Sequence, residues 1–272
     1  MFNRELLPIV RPHPSDPTGL VFAEGTEQNG VILAGKVRSP SGETYEVKNG
    51  CLDLLKNRAG ADNAANLTNF LPGAGRGYEP LWRVHSLRLL TGKSFSNERE
   101  LGIISDLVGV ERGRYLDLGC SAGLYTRNLA PGDGGGLVGI DISPSMLKEA
   151  VRRARGIGAR PSFARADAHN LPFADACFSG AVCGGTLNEL GDPARALRET
   201  RRVLEPGGRL AIMGILQART HRGRRLQRFL SISGIRFFEP DELRSMLDHA
   251  GFEPEALQTY GAVFFVGATR RG

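Results

Sequence analysis

The sequence predicts an α/β fold, in which a mostly parallel sheet carries helices on both faces and a small β appendage precedes it. Two observations favour this class. From about residue 114 onward, short apolar strands alternate with amphipathic helices as far as residue 250, and that alternation is typical of parallel sheets. Near the C-terminus, two apolar segments flank Gly261 and predict a hairpin, which adds one antiparallel strand.

The parallel part contains five short apolar segments that are predicted to be strands. They span residues 115–119, 137–141, 162–166, 178–183 and 209–213. Helices are predicted to begin at Ser143–Pro144 and at Asp192–Pro193, because a Ser or Asp side chain caps a helix and proline favours its first turn. A further helix is predicted over residues 240–250, ended by Gly251.

The N-terminal part predicts a separate β segment followed by a linker. Residues 30–37 and 43–48 have strand-like patterns, with turns predicted at 39–42 and at Asn49–Gly50. Residues 51–55 are expected to dock this hairpin, and the polar, glycine-rich residues 56–77 to form a linker. The expected domains are residues 1–77 and 78–272, with lid helices at 78–108 and an insert at 215–238.

Composition excludes several classes of protein. The 272 residues are 41% hydrophobic and 24% charged, which is typical of a globular chain and not of a disordered one. The longest apolar run, residues 261–268, is too short to span a bilayer, and the first residues lack a secretory signal, so a soluble cytoplasmic protein is expected. The four cysteines form no C-x-x-C pair, so neither a disulfide framework nor a metal site is expected.

The positive charge is concentrated in one segment. The net charge is +6, and removing five arginines that lie within ten residues leaves +1. These are Arg219, Arg222, Arg224, Arg225 and Arg228. They are candidates to pair with an anionic group on a substrate, to contact an anionic membrane surface, or simply to form a solvated helix face.

The most informative loop follows the first strand of the parallel part. It reads DLGCSAG over residues 117–123 and leads into a helix, so its small residues allow a ligand to approach the backbone. Ligands bind such sheets at the carboxyl ends of the strands. The G-x-G-x-x-G dinucleotide motif is absent, because Ser121 and Leu124 occupy two of its glycine positions, and no P-loop motif is present.

Two carboxylates follow the next two strands. Asp141 ends the second strand, eighteen residues after Gly123, where a carboxylate accepts hydrogen bonds from ribose hydroxyls; the alternative is an acid at a helix entry. Asp167 and Ala168 follow the third strand, placed to offer a carboxylate and an amide to an adenine edge; the alternative for Asp167 is a cap. The series predicts a nucleoside site.

Four motifs in order resemble the class I S-adenosylmethionine-dependent methyltransferases, specifically the methyltransferase type 11 group. They are LDLGCSAGLY at 116–125, GIDIS at 139–143, ADA at 166–168 with LPF at 171–173, and LRETRRVLEPGGRL at 197–210. The resemblance covers roughly residues 95–268. It implies a Rossmann-like sheet of seven strands in the order 3-2-1-4-5-7-6, with the last strand antiparallel.

The resemblance also implies the cofactor, S-adenosylmethionine, and its product, S-adenosylhomocysteine. Asp117 and Gly119 would serve the methionine end, Asp141 the ribose, and Asp167 with Ala168 the adenine, on whose face Ile142 would pack. The full set of expected cofactor-binding residues is Asp117, Gly119, Cys120, Ser121, Gly123, Tyr125, Asp141, Ile142, Met146, Asp167, Ala168 and Cys183. Ser121 replaces the family's middle glycine, and Ser179 replaces a usual acid.

The N-terminal hairpin resembles part of a zinc-ribbon-like segment that precedes some methyltransferases. The similarity covers residues 37–55, and Arg38 and Ser41 stand where that motif has its cysteines. If this copy derives from such a ribbon, it has lost its metal. An unrelated two-stranded appendage is the alternative.

The predicted function is methyl transfer by in-line SN2 displacement to a small, hydrophobic acceptor at O, N or C. A general base is needed only if the acceptor loses a proton. Glu189, Asn188 and His221 are the candidate catalytic residues, and His85 and Tyr125 also fall in segments near the expected pocket. Each has a plain structural alternative, such as capping, ion pairing or packing.

Two other functions are consistent with the sequence. Methylation of an RNA base would fit the basic segment, although the loop after the fourth strand lacks the Asn-Pro-Pro-Tyr-type motif of exocyclic-amine methylases. A protein that binds S-adenosylmethionine without transferring its methyl group is the other alternative, because fold does not imply function. The apolar residues of helix 78–90 and of the insert favour the hydrophobic acceptor.

Overall fold

The computed structural model describes residues 1–13, 15–56, 95–111, 113–129, 136–158 and 160–272. Thirteen strands occur in this part of the chain. They are β1 (Phe2–Asn3), β2 (Val21–Gln28), β3 (Val31–Arg38), β4 (Thr44–Lys48), β5 (Cys51–Asp53), β6 (Arg114–Leu118), β7 (Gly136–Asp141), β8 (Ser162–Arg165), β9 (Phe178–Gly184), β10 (Leu204–Ile215), β11 (Phe252–Pro254), β12 (Gln258–Tyr260) and β13 (Val263–Arg270).

Six α-helices occur in the same described ranges. They are α1 (Asn97–Val108), α2 (Leu124–Asn128), α3 (Pro144–Gly156), α4 (Pro193–Val203), α5 (His221–Leu230) and α6 (Pro240–His249). Short 3-10 turns span Arg4–Ile9, Thr186–Asn188 and Ser231–Ser233. The strands and helices predicted in the parallel part are all present, with shifts of a few residues at their ends; β10 begins five residues earlier than predicted, at Leu204.

All the strands belong to one mixed sheet. Its order is β1-β3-β4-β5-β8-β7-β6-β9-β10-β13-β11, while β2 pairs with β3 and β12 pairs with β13. The stretch from β8 to β11 has the predicted order 3-2-1-4-5-7-6, and β13 is antiparallel to β10 as predicted. The α/β class is therefore confirmed. The predicted count of seven strands is wrong, because the N-terminal strands extend the same sheet.

The join between the N-terminal segment and the rest is a parallel pairing of β5 with β8. Leu52 lies opposite Ala164, and both are fully buried. The residues before β2 form β1 and a 3-10 turn. Leu6, Leu7 and Val10 are buried there in the same hydrophobic core as the central strands.

This N-terminal tail packs beside the connection between β8 and β9, which contains no helix (residues 166–177). Val10 forms a β-bridge with Phe173, and Ile9 accepts a hydrogen bond from the backbone of Ala174 at 2.8 Å. Helices normally cover the faces of a parallel sheet. At this connection, which has no helix, the first residues of the chain supply the buried apolar side chains instead.

Local sequence signals account for the turns and helix starts. Asn49 and Gly50 both have positive φ, at 53° and 82°, which suits a tight hairpin turn between β4 and β5. Ser143 and Asp192 cap α3 and α4, each accepting a hydrogen bond from a backbone N–H of the first turn. Ser96 caps α1 in the same way.

Helix α1 was expected to be part of a lid, and the structure builds it into the core. Its buried residues Ile104, Leu107 and Val108 pack with side chains of β9, β10 and β13 on one face of the sheet. The linker residues 57–77 and the predicted helix at 78–90, with His85, lie outside the described residues. Among the helices that are described, none has both the length and the apolarity to cross a bilayer.

Candidate active site

A cleft opens at the carboxyl ends of β6, β7, β8 and β9. The empty space in it, counted with its open mouth and the solvent there, is about 680 Å³. The cleft is lined by Gly119, Ser121, Ile140, Asp141, Ile142, Ala166, Asp167, Ala168, Gly184, Gly185, Thr186, Glu189 and Leu190. Six expected cofactor residues are among them: Gly119, Ser121, Asp141, Ile142, Asp167 and Ala168.

The loop after β6 is shaped by backbone geometry that few side chains tolerate. Gly119 has φ +64°, and a Cβ there would lie only 2.2 Å from Thr186 Oγ1, so no larger residue fits. Ser121 also has a positive φ, at 49°, a conformation that glycine adopts without steric cost. Ser121 Oγ lies 3.5 Å from the sulfur of Met146.

Asp141 ties this loop to the start of α3. Its Oδ2 accepts a hydrogen bond from the Ser121 backbone N–H at 2.9 Å, and its Oδ1 accepts one from the Ser143 backbone N–H at 2.8 Å. Burial raises the pKa of Asp141, and those backbone hydrogen bonds partly oppose the shift. Each carboxylate oxygen has a second lone pair, so the group has acceptor capacity left for hydroxyl donors.

Asp167 is held in place by His169. Its Oδ1 accepts the His169 backbone N–H at 2.8 Å and lies 2.9 Å from His169 Nδ1. Because His169 Nε2 accepts the Asp192 backbone N–H at 3.3 Å, Nδ1 carries the proton in this arrangement. Burial opposes ionisation of Asp167, but the hydrogen bonds from His169 outweigh it, so its pKa lies below the usual value.

Glu189 is the third carboxylate of the cleft. It follows the 3-10 turn after β9 and is only partly exposed. Burial, with a smaller contribution from the negative charge of Asp141, raises the pKa of Glu189 to about 7. Glu189 can therefore take up or release a proton near neutral pH.

Six of the expected cofactor residues are not in the cleft wall. Asp117 is buried, and its Oδ2 accepts hydrogen bonds from the backbone N–H and the hydroxyl of Thr126, which fixes α2 against the end of β6. Cys120 and Cys183 are buried; burial raises the pKa of Cys120 well above normal and that of Cys183 to about 12, so both are protonated packing residues.

The remaining three support the cleft from behind. Gly123 packs close to α3 and β8, since a Cβ there would lie 3.0 Å from Ala150 Cβ. Met146 is buried below Ser121. The ring of Tyr125 packs on Gly184, and its hydroxyl donates a hydrogen bond to the buried carboxylate of Glu100.

Two of the three candidate catalytic residues, Asn188 and His221, do not line the cleft. Asn188 is 1% exposed, and its Nδ2 donates to the carbonyls of Ile215 and Arg236 while its Oδ1 accepts the Ile215 N–H. The hydrogen bonds of this amide join the two ends of the 215–238 insert. Asn188 therefore has a structural role in place of the catalytic role that was expected. His221 is exposed in the first turn of α5 and does not line the cleft.

Sequence reasoning missed six residues of the cleft wall. They are Ile140, Ala166, Gly184, Gly185, Thr186 and Leu190. Ile140 and Ala166 directly precede the two carboxylates that were found, so strand position alone was a sufficient signal. Thr186 had no such signal, because its contact with Gly119, sixty-seven residues earlier, depends on the pairing of β6 with β9.

Known proteins with similar sequences include methyltransferases. Residues 116–212 match the family model described as a methyltransferase domain. The ubiquinone/menaquinone biosynthesis C-methyltransferase UbiE of Haemophilus ducreyi is 31% identical over 175 residues, which cover 54% of this chain and 68% of that protein. The O-methyltransferase resE of Aspergillus sclerotiorum is 34% identical over 141 residues, 50% of this chain and 53% of that protein.

The solved structures show the same fold. The [4+2]-cyclase SpnF superimposes with a TM-score of 0.56 at 20% identity, covering 72% of this chain and 95% of that one. The match to UbiE and to the methyltransferase domain model shows that the chain belongs to the class I S-adenosylmethionine-dependent methyltransferases, whose methyl-donating cofactor is S-adenosylmethionine. Matches to several other curated relatives span between 29% and 59% of their length.

The residues of the cleft fit this cofactor. Gly119 and Gly185 both have positive φ and keep side chains off the wall. Asp141 presents buried acceptors of the kind that ribose hydroxyls need, and Asp167 offers a fixed carboxylate on the neighbouring strand. Ile142, Ala166 and Ala168 make the surface between them apolar, which suits a purine face.

One arginine connects this wall to the N-terminal segment. Arg165 is 9% exposed; its Nε donates to the carbonyl of Ile142 at 3.1 Å, and its Nη1 lies 3.2–3.3 Å from both carboxylate oxygens of Asp53. It also donates to the carbonyl of Lys56. Arg165 thus joins β5 to the backbone of a residue that lines the cleft.

We expect Asp53→Asn to weaken S-adenosylhomocysteine binding about 3- to 10-fold. The change removes a charged partner of a buried arginine, which costs about 1–3 kcal/mol of folding stability. It also loosens the loop at Ile142, which lines the cleft, and this second effect weakens binding. Calorimetric titration measures this. Glu46→Gln is the matched control, since it removes only the exposed ion pair with Lys48 in the same segment. Unchanged affinity in a destabilised Asp53→Asn protein would show that the contact serves folding alone.

Proposed function

We propose that the protein transfers the methyl group of S-adenosylmethionine to a small, hydrophobic acceptor at an oxygen, nitrogen or carbon atom. The observation that carries this proposal is Glu189, a carboxylate with its pKa near 7 in the same cleft as the expected nucleoside-binding residues. Its neighbour Leu190 and the apolar residues of the wall favour an acceptor of low polarity.

The roles of the residues follow from their positions. When bound, S-adenosylmethionine supplies an electrophilic methyl group, so the protein's main contribution is orientation, which is worth up to about 7–11 kcal/mol. Asp141 would accept hydrogen bonds from the ribose, and Asp167 and Ala168 would bind the adenine edge. Asp117, which lies outside the wall, would act by fixing the loop that contains Gly119 and Ser121.

Glu189 is proposed as the general base. At pH values above about 7 it is ionised and able to accept a proton from a hydroxyl, amine or activated carbon of the acceptor. The relatives support this class of reaction, since they include C- and O-methyltransferases. His221 and Asn188 have no part in this proposal, because neither faces the cleft.

The test is transfer of tritium from [methyl-³H]S-adenosylmethionine to a panel containing a naphthohydroquinone, a phenol and an alkylamine, with total RNA as a parallel substrate. We expect label in the organic extract of at least one apolar acceptor and none in RNA. Label in RNA alone would contradict the proposed acceptor class. So would the absence of transfer to any acceptor by protein that binds S-adenosylhomocysteine.

A further inference from the structure

The insert after β10 has an unusual surface. Arg219, Arg222, Arg224, Arg225 and Arg228 are all exposed, and none of them forms an ion pair with any residue that the structure describes. Residues 217–238 contain no Asp or Glu at all. The arginines elsewhere differ: Arg202, for example, pairs with both Asp175 and Glu199.

The same surface exposes large apolar side chains. Leu226 is 60% exposed, Phe229 70% and Ile232 80%, three of the five exposed large hydrophobic residues in the described part of the chain. Scattered single hydrophobic residues are normal on a surface, but three within seven residues form a patch that calls for a partner.

The geometry of α5 separates its inner and outer faces. Gln227 is buried and anchors the helix, donating to the carbonyl of Leu216 at 2.8 Å and accepting the Ala218 N–H at 2.7 Å. At 100° per residue, positions 222, 225 and 229 lie opposite Gln227. Arg222, Arg225 and Phe229 therefore point away from the protein body, with Leu226 and Arg228 on the flanks.

The insert is fixed beside the cleft. It leaves the carboxyl end of β10, at the same edge of the sheet where the cleft opens. Asn188 binds Ile215, the first residue of the insert, and Arg236, which lies near the end of the insert. The residue after Asn188, Glu189, is part of the cleft wall. The insert therefore begins at the same edge of the sheet as the cleft.

We infer that the outer face of α5 and the following 3-10 turn dock on an anionic lipid bilayer, with Phe229, Leu226 and Ile232 entering the interface and Arg222, Arg225 and Arg228 contacting lipid phosphates. Exposed arginines alone would suit any polyanion. The aliphatic residues distinguish lipid from RNA, because Leu226 and Ile232 have no aromatic face on which a base stacks. That docking would bring the cleft close to a membrane-dissolved acceptor rests on the proposed function. The docking itself does not.

The test is co-sedimentation of the whole protein with vesicles of phosphatidylcholine alone or mixed equally with phosphatidylglycerol. We expect binding to the anionic vesicles only, weakened by salt. The double variant Phe229→Ser with Ile232→Ser, and the triple variant Arg222→Gln, Arg225→Gln and Arg228→Gln, should each bind at least tenfold less. Matched controls are Ile157→Ser, an exposed residue at the end of α3, and Arg198→Gln with Arg244→Gln on other helices.

Three results would overturn the inference: no binding of the wild type, equal binding to neutral vesicles, or anionic binding that survives the Phe229 and Ile232 changes. Salt-sensitive binding to RNA that these two changes leave intact would assign the surface to nucleic acid instead. All variants should retain the wild-type affinity for S-adenosylhomocysteine within twofold. If the wild type does not bind S-adenosylhomocysteine, the proposed function is refuted. The vesicle result would still decide whether α5 docks on lipid.

Discussion

Replacing Asp141 with alanine is expected to weaken the binding of S-adenosylmethionine and S-adenosylhomocysteine by about 10- to 100-fold. Two effects add. The variant loses carboxylate acceptors for the ribose hydroxyls, and hydrogen bonds to a charged group contribute about 1.5–3 kcal/mol each. It also leaves the Ser121 and Ser143 backbone N–H groups without their acceptor, so the loop that shapes the cleft loosens. Isothermal titration calorimetry measures both affinities.

Asp192→Ala is the matched control for this titration. It removes the cap of α4, where the Asp192 side chain accepts the Arg195 N–H at 2.9 Å, and this costs about 0.5–2 kcal/mol of stability. The Asp192 backbone N–H that His169 accepts is retained, and the side chain that is removed does not line the cleft. Its affinity for S-adenosylhomocysteine should equal that of the wild type. Equal affinity in folded Asp141→Ala protein would contradict the assignment of this cleft. Because burial raises the pKa of Asp141, wild-type affinity should also fall on acidification earlier than for an ordinary aspartate.

Replacing Glu189 with glutamine is expected to slow methyl transfer by about 10²–10⁴-fold, the usual contribution of a general base. The wild-type rate should rise with pH and then level off, because Glu189 must be ionised to act as a base. The pKa of Glu189 is about 7 in the free protein, and the positive charge of bound S-adenosylmethionine lowers it. The variant should lack this rise and retain its affinity for neutral S-adenosylhomocysteine. Initial rates across pH 5.5–9 supply the measurement.

A stability readout separates this role from a packing role. The folded protein raises the pKa of Glu189 from 4.5 to about 7, so between those pH values the folded state binds more protons than the unfolded state. The free energy of unfolding therefore falls as pH rises through this window, by up to about 3 kcal/mol, and stays low above it. Glu189→Gln should remove that slope.

The control for both measurements is Glu253→Gln, an exposed residue of β11 outside the cleft wall. It should leave both the rate profile and the pH dependence of stability unchanged. A Glu189→Gln enzyme with the wild-type pH–rate profile would show that the acceptor is methylated without a general base at this position.

The predicted residues that line one cleft are brought together by a rule of parallel sheets. Strand ends converge at one edge, so residues that directly follow strands, such as Asp141 and Asp167, are brought together whatever the rest of the chain does. The loop from Gly119 to Ser121 was found for the same reason. Local capping signals at Ser143 and Asp192 were also sufficient to predict where the helices begin.

The errors concern side chains whose partners are distant in sequence. Asn188 was expected to meet a substrate, but its amide is bound by Ile215 and Arg236, which lie 27 and 48 residues away. Nothing near Asn188 in the sequence indicates those contacts. Similarly, Tyr125 follows the cofactor loop closely, yet its hydroxyl is bound by Glu100, which comes from the helix before β6.

The N-terminal segment illustrates the same limit at the level of the sheet. Its turns were predicted from local residues, whereas its attachment was not, because Asp53 meets Arg165 across 112 residues of sequence. Strand β2 was missed because most of its side chains are exposed, so it lacks the apolar alternation by which strands are recognised. A segment expected to be an appendage is thus a continuation of the central sheet.

Calorimetric titration of the wild-type protein with S-adenosylhomocysteine tests whether the cleft at the carboxyl ends of β6, β7, β8 and β9 binds the cofactor. The expected result is one site with a dissociation constant in the micromolar range, competed by S-adenosylmethionine and weakened by Asp141→Ala. Folded wild-type protein that gives no binding heat and shows no stabilisation by either ligand would show that the cleft does not bind it.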